Sequence, residues 1–180
     1  MLGVVGMEEK RSYDESKAVN ENINTNVTVI DDLVSYQNIN GFGASACWWS
    51  QDVGKWENSK EILSYLYDKE KGIGLNVYRY NIGAGSKGDE HILTENRSTE
   101  CFLQADGSYD FTADAAAQKC LAQARELAGD DLRVTLFANS PPVSMTKNGL
   151  GYGSAIKEDE PWVTNLDASN YQPFADYCYN

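Results

Sequence analysis

The sequence predicts an α/β fold in which three parallel strands alternate with helices. Two observations carry this. Three apolar stretches, Asn40–Ala46, Leu75–Ile82 and Leu132–Ala138, each end in polar or aromatic residues, and the segments between them have helical periodicity. A strand, helix, strand, helix, strand order joins its strands by right-handed crossovers and places ligands at the carboxyl ends of the strands.

The first helix is expected over Asn58–Tyr67, where Asn58 and Glu61 have capping-box spacing, Ile62, Leu63, Leu66 and Tyr67 share one face, and Gly72 provides a stop. The second is expected over Asp114–Ala128, with Ala117, Leu121, Ala124 and Ala128 on one stripe and Gly129 beyond its end. Before the first long strand, residues 1–26 read as a polar, flexible leader, and Val27–Ile30 as a β-branched strand followed by a turn at Asp31-Asp32. Residues 27–38 thus form a small β element and residues 39–180 the main domain.

Composition narrows the partners. The 180 residues are 42% hydrophobic and 11% aromatic, a globular composition, with a formal charge of −12. That charge repels nucleic acid and anionic membrane surfaces. No apolar run approaches the roughly 20 residues of a membrane span, and the opening MLGVVGMEEK is at best the remnant of a signal peptide, so localisation stays open. Cys47, Cys101, Cys120 and Cys178 lack ligand spacing and His91 is the single histidine, so neither a metal nor another cofactor is expected, and buried free thiols account for the cysteines. Two sequons, at Asn26 and Asn96, mark surface positions.

The strand ends hold the candidate chemistry. After the first come Trp48, Trp49 and Asp52; after the second, Asn81 and a glycine-rich loop; after the third, Asn139, Ser140 and two prolines. Successive strand residues face opposite sides, so adjacent tryptophans cannot both serve one core unless the strand has ended, and at least one is expected to face a cleft. Arg79 interrupts an apolar strand, where it is costly unless paired. Two roles remain for it: a structural ion pair, or the orientation of carboxylates in a site. The pattern Gly83-Ala84-Gly85-Ser86-Lys87-Gly88 fits a dinucleotide fingerprint in spacing only, because Asp89 and Glu90 set negative charge where a pyrophosphate would lie. The stretch 86–112 is long for a connection between strand and helix, and long loops on this face shape binding sites.

Three ordered motifs also carry a family resemblance. Asn40-Gly41-Phe42-Gly43-Ala44-Ser45 with Trp48-Trp49, then Val77-Tyr78-Arg79-Tyr80-Asn81-Ile82-Gly83, then Asn139-Ser140-Pro141-Pro142 with Met145-Thr146-Lys147-Asn148-Gly149 closely resemble family-30 glycoside hydrolases, nearest to the endo-β-1,6-galactanase-like branch. The similarity runs from about Val27 to Tyr177, and Phe174-Ala175-Asp176-Tyr177 matches the start of that family's third barrel helix.

The resemblance implies the N-terminal part of a (β/α)8 TIM barrel, about three βα units, with Val27–Ile30 as the first strand of a β-rich side domain. It implies cleavage of a β-linked, galactan-like saccharide with retention through two glutamates. It places Trp48 and Trp49 at the rim of the first barrel strand, where an indole face stacks on a sugar ring. Arg79, Asn81, Asn139 and Ser140 become candidates for supporting the glutamates or binding hydroxyls, with Lys147 and Asn148 on the loop above and Asp52 as a hydrogen-bond acceptor. The catalytic glutamates themselves belong to the fourth and seventh barrel strands. The chain's Glu160-Pro161 is preceded by Asp159 rather than the family's Asn, so no catalytic residue is assigned. Ser144 departs from the aromatic residue of many relatives. The expected activity is that of a glycosidase whose remaining barrel half is a required partner; the alternative is a non-catalytic carbohydrate-binding or orphan barrel fragment.

Overall fold

The computed structural model describes residues 37–85, 99–154 and 163–180. Residues 39–180 form one compact unit. The expected leader and the strand Val27–Ile30 lie outside the described residues.

Three strands, β1 (Gly43–Ser45), β2 (Val77–Ile82) and β3 (Arg133–Ala138), pair in parallel in the order β1-β2-β3. Gly43 lies opposite Val77, and Val77 opposite Arg133. This register sends Tyr78, Tyr80 and Ile82 to one face, alongside Val134, Leu136 and Ala138, and sends Arg79 and Asn81 to the other, alongside Thr135 and Phe137. Glycine is required at 43 because a Cβ there would meet the Val77 carbonyl oxygen at 2.1 Å.

Helices cover the Tyr78/Tyr80 face. A short helix α1 (Trp49–Val53) follows β1, then α2 (Ser59–Tyr67), and α3 (Ala115–Ala128) follows β2. Helix α3 buries Ala117, Cys120, Ala124 and Ala128, and these small side chains let it lie close to the sheet. Cys120 takes the inward place expected of Leu121, which is half-buried. Gly54 admits the approach of α1 to α3, since a Cβ there would lie 2.0 Å from the Ala116 carbonyl oxygen. Helix α2 contributes Leu63 and Tyr67, both fully buried, and the Tyr67 ring lies 5.6 Å from that of Tyr78.

Two local expectations are corrected. The capping box at Asn58 does not form: Asn58 makes no side-chain cap bond, and Glu61 turns along the helix to accept from Tyr65 Oη at 3.1 Å. Helix α2 also ends at Tyr67, well before Gly72. Asp68 stops it by accepting the backbone N–H groups of Glu70 and Lys71. Gly72 then tucks beneath the helix end, where a Cβ would touch the Ser64 carbonyl at 2.2 Å. The end of α3 does fall as expected at Gly129, whose φ of 69° suits glycine.

A final helix, α4 (Tyr171–Tyr179), contains the Phe174–Tyr177 motif. It docks through Tyr177, which is buried and donates its phenol hydrogen to the Gly83 carbonyl at 2.8 Å. The ring of Tyr177 stacks on Tyr109, and Tyr109 on Phe111. Those two rings belong to a hairpin in the 99–113 segment, closed by the Leu103–Tyr109 bridge.

Tyr67 supplies a test of core energetics. It is fully buried, and its hydroxyl has no hydrogen-bond partner among the described residues. Burial raises its phenol to about 12. Removing an unpaired buried hydroxyl relieves its desolvation cost. Tyr67→Phe is therefore expected to leave the denaturation midpoint unchanged or to raise stability by up to about 1 kcal/mol. A loss of similar size would show that the hydroxyl is bonded.

Candidate active-site face

All three strands point their carboxyl ends the same way, and the candidate residues gather there because each strand ends in its polar motif. Along the inner face, Ser45, Arg79 and Thr135 share a row, with Asn81 and Phe137 in the next. Arg79 sits over the Phe137 ring, its guanidinium carbon 3.4 Å from the centroid. The contact uses the flat face of the guanidinium and leaves its in-plane N–H groups available for bidentate donation. Of the two roles open to Arg79, the structural ion pair is not found among the described residues: Arg79 is exposed on the face away from the helices, and no carboxylate pairs with it there. Strand alternation explains the exposure, since the tyrosines on either side of Arg79 take the helix-covered face.

Asn81 is 4% exposed, and its Oδ1 has no hydrogen-bond partner among the described residues. A buried acceptor left open costs about 1–3 kcal/mol.

The two tryptophans separate. The strand ends at Ser45, with Ala46 N–H still donating to the Arg79 carbonyl at 3.0 Å, and the chain turns into α1. Trp49 packs on the core and donates its indole N–H to the Ser45 carbonyl at 3.0 Å. Trp48 precedes the helix and is half-buried. Asp52 lies half-buried in α1.

After β3, Asn139 is exposed, whereas Ser140 is buried and donates its hydroxyl to the Gly151 carbonyl at 3.0 Å. Lys147 donates to the Thr164 carbonyl at 3.0 Å. Asn148 Oδ1 is held inside its own loop, accepting from Leu150 N–H at 3.0 Å and from Asn165 Nδ2 at 2.8 Å. Among the described residues, the two hydrogen bonds of the Asn148 side chain thus both fall on its oxygen.

The segment 99–113 is clamped to the sheet. Gly83 lets it approach, since a Cβ there would meet the Glu100 carbonyl oxygen at 2.0 Å. Glu100 Oε2 accepts the Asp114 backbone N–H at 2.7 Å. Between this segment and the loop after β3 lies a cleft of about 540 Å³, lined by Glu100, Gln104, Asp110, Thr112 and Ser144 among others.

A buried acid against this segment, Asp114, had no signal in the sequence. Asp114 precedes α3 in the left-handed region, with φ of 54°, and makes no cap bond. Its Oδ2 instead accepts from Tyr80 Oη at 2.7 Å. Burial, reinforced by the nearby Glu100 charge, lifts the Asp114 carboxyl to about 6 even though Tyr80 and Gln51 donate to it.

Three parallel strands in sequential order, alternating with helices and carrying polar and aromatic residues at their carboxyl ends, define a segment of a β/α architecture. Comparison with known proteins gives the family. The model for O-glycosyl hydrolase family 30 matches residues 25–180, and the chain belongs to that family. It is 26% identical over 172 residues to an endo-β-1,6-galactanase of Hypocrea rufa, covering 82% of this chain and 34% of that protein. It superposes on a conserved exported protein of Bacteroides fragilis with a TM-score of 0.70 at 32% identity, over 82% of this chain and 31% of the other. SrfJ of Salmonella typhimurium shares the fold, with a TM-score of 0.55 at 18% identity over 80% of this chain and 30% of that one. The chain thus spans about a third of the length of these relatives. Among the described residues no helix is long and apolar enough to cross a membrane.

Proposed function

We propose that these residues form the first three βα units of a (β/α)8 barrel in a retaining glycosidase that acts on a β-linked, galactan-like saccharide. The observation that carries the reading is the inner face: Arg79, stacked on Phe137 and without an ion pair among the described residues, lies beside Asn81, whose buried Oδ1 has no hydrogen-bond partner among them. In this reading both groups find partners where a barrel of this kind works. The similarity to an endo-β-1,6-galactanase supports the saccharide class.

In this reading Trp48 offers a stacking surface, and Asn139 and the amide nitrogen of Asn148 offer hydrogen bonds to hydroxyls. Ser140 and Trp49 hold the loops. Retention needs two carboxyl groups about 5–5.5 Å apart across the scissile bond. Both are assigned to later barrel strands, and no residue described above takes either role.

The test is an activity assay in two forms. The purified 180-residue chain is expected to release no reducing sugar from β-1,6-galactan or xylan at any pH. The same chain joined to the remainder of its barrel is expected to cleave β-1,6-galactan with retained anomeric configuration, followed by NMR of the first product. Turnover by the chain alone would overturn the placement of the glutamates.

A further inference from the structure

Asn165 is a fully buried polar residue, with 0% of its surface exposed, and it lies outside every motif that pointed to the site. Two antiparallel bridges, Thr146–Leu166 and Ser154–Thr164, bracket it, so the chain 146–154 arches over it. Its Nδ2 donates to Asn148 Oδ1 at 2.8 Å, to the Tyr152 carbonyl at 2.9 Å and to the Leu150 carbonyl at 3.2 Å. Two hydrogens thereby serve three acceptors. Its Oδ1 accepts the Asn148 N–H at 3.3 Å. Its backbone joins in: the carbonyl accepts Lys147 N–H at 2.8 Å, and the N–H donates to the Gly153 carbonyl at 3.0 Å.

One side chain therefore ties down polar groups at three places along the arch, Asn148, Leu150 and Tyr152. No aliphatic residue can do so, and the isosteric aspartate would turn two acceptor oxygens toward the same carbonyls. The arch is also tied to the end of β3, through the Ser140 hydroxyl on Gly151. Gly149, with φ of 72°, lets the chain reverse while wrapping around the amide.

We infer that Asn165 is a positioning residue: it fixes the 146–154 arch as a preformed wall of the saccharide site, holding Asn148 with its amide nitrogen outward and its oxygen inward. This rests on the function proposed above. A wall built this way binds substrate without an ordering cost, so loosening it weakens binding more than it slows chemistry.

The test compares wild type with Asn165→Asp and Asn165→Ala by two measurements. On the 180-residue chain, hydrogen exchange of the Lys147, Asn148, Leu150 and Tyr152 amides is expected to speed up by about tenfold or more, while amides of β2 and α3 keep their protection. Unchanged exchange in the arch, or equal loss throughout the chain, overturns the hub. In the enzyme formed with the remainder of the barrel, KM for β-1,6-galactan is expected to rise about tenfold with kcat within about threefold. An unchanged KM beside a loosened arch shows that the arch does not bind substrate, and refutes the inference while the activity of the wild type upholds the glycosidase. An inactive wild type removes the substrate role, while the exchange result still stands as a property of the chain.

Discussion

Replacing Arg79 with lysine in the complete enzyme is expected to lower kcat by about 10²-fold or more while stability changes little, because positioning errors near 1 Å carry costs of that order. The geometry gives both halves of this expectation. Arg79 is exposed, has no ion-pair partner among the described residues, and touches Phe137 through its π face. A cation–π contact at an exposed site is worth about 0.5–1 kcal/mol, and lysine keeps part of it. What lysine loses is the planar fork, whose parallel N–H groups hold a carboxylate ionised and oriented. Thermal melting and kcat measured on one preparation separate the alternatives. A large fall in Tm with normal kcat would assign Arg79 to structure.

Why the motifs were legible, and the cluster around Asp114 was not, has a physical reason. Strand ends and helices follow from periodicity, which is local. The capping pattern at α2 was local too, yet Glu61 found a better partner in Tyr65, one turn along the helix, and the box did not close. Trp48 and Trp49 could be recognised as too many indoles for one core, but which of them packs depends on where the chain turns after Ala46. The position of Asn165 depends on a pairing between distant segments, Thr146 with Leu166, and an asparagine before Leu166-Asp167 has no neighbour in sequence that announces it. The two roles left open for Arg79 could not be told apart in the sequence for a related reason: only the packing of the helices on one face of its strand shows that Arg79 is exposed on the other.

Among the described residues, Asp114 carries the strongest pH dependence expected on the acid side of neutrality. Its carboxyl is 4% exposed and sits against Tyr80 of β2, Gln51 of α1 and Glu100 of the 99–113 segment, with no cation paired to it among the described residues. Its folded-state value is raised, from 3.8 to about 6, so the native state holds the proton more tightly than the unfolded chain does. Below about pH 4 both states are protonated and there is no penalty. As the pH rises from about 4 to about 6 the unfolded state gives up its proton first and stability falls. The full cost, about 3 kcal/mol by order of magnitude, is present above about pH 6.

Surface carboxylates work the other way. Asp68, Asp106, Asp110, Asp131 and Asp167 are held low by hydrogen bonds, chiefly from backbone N–H groups, hydroxyls and Lys69, and the stability they contribute is lost as the pH falls through their lowered range. The stability maximum is therefore expected between about pH 4 and 5, on the acid side of neutrality. An asparagine in place of Asp114 would accept from Tyr80 as the aspartate does, tolerates the left-handed backbone, and carries no charge to desolvate. Asp114→Asn is accordingly expected to flatten the profile between about pH 4 and 6 and to exceed wild type in stability at about pH 7, with the two chains converging near pH 4. Urea denaturation of both across that range decides the matter. A wild-type profile already flat there, or a variant that keeps the wild-type slope, would mean that Asp114 is ionised at no cost in the folded chain, and that Gln51 and Tyr80 compensate its burial in full.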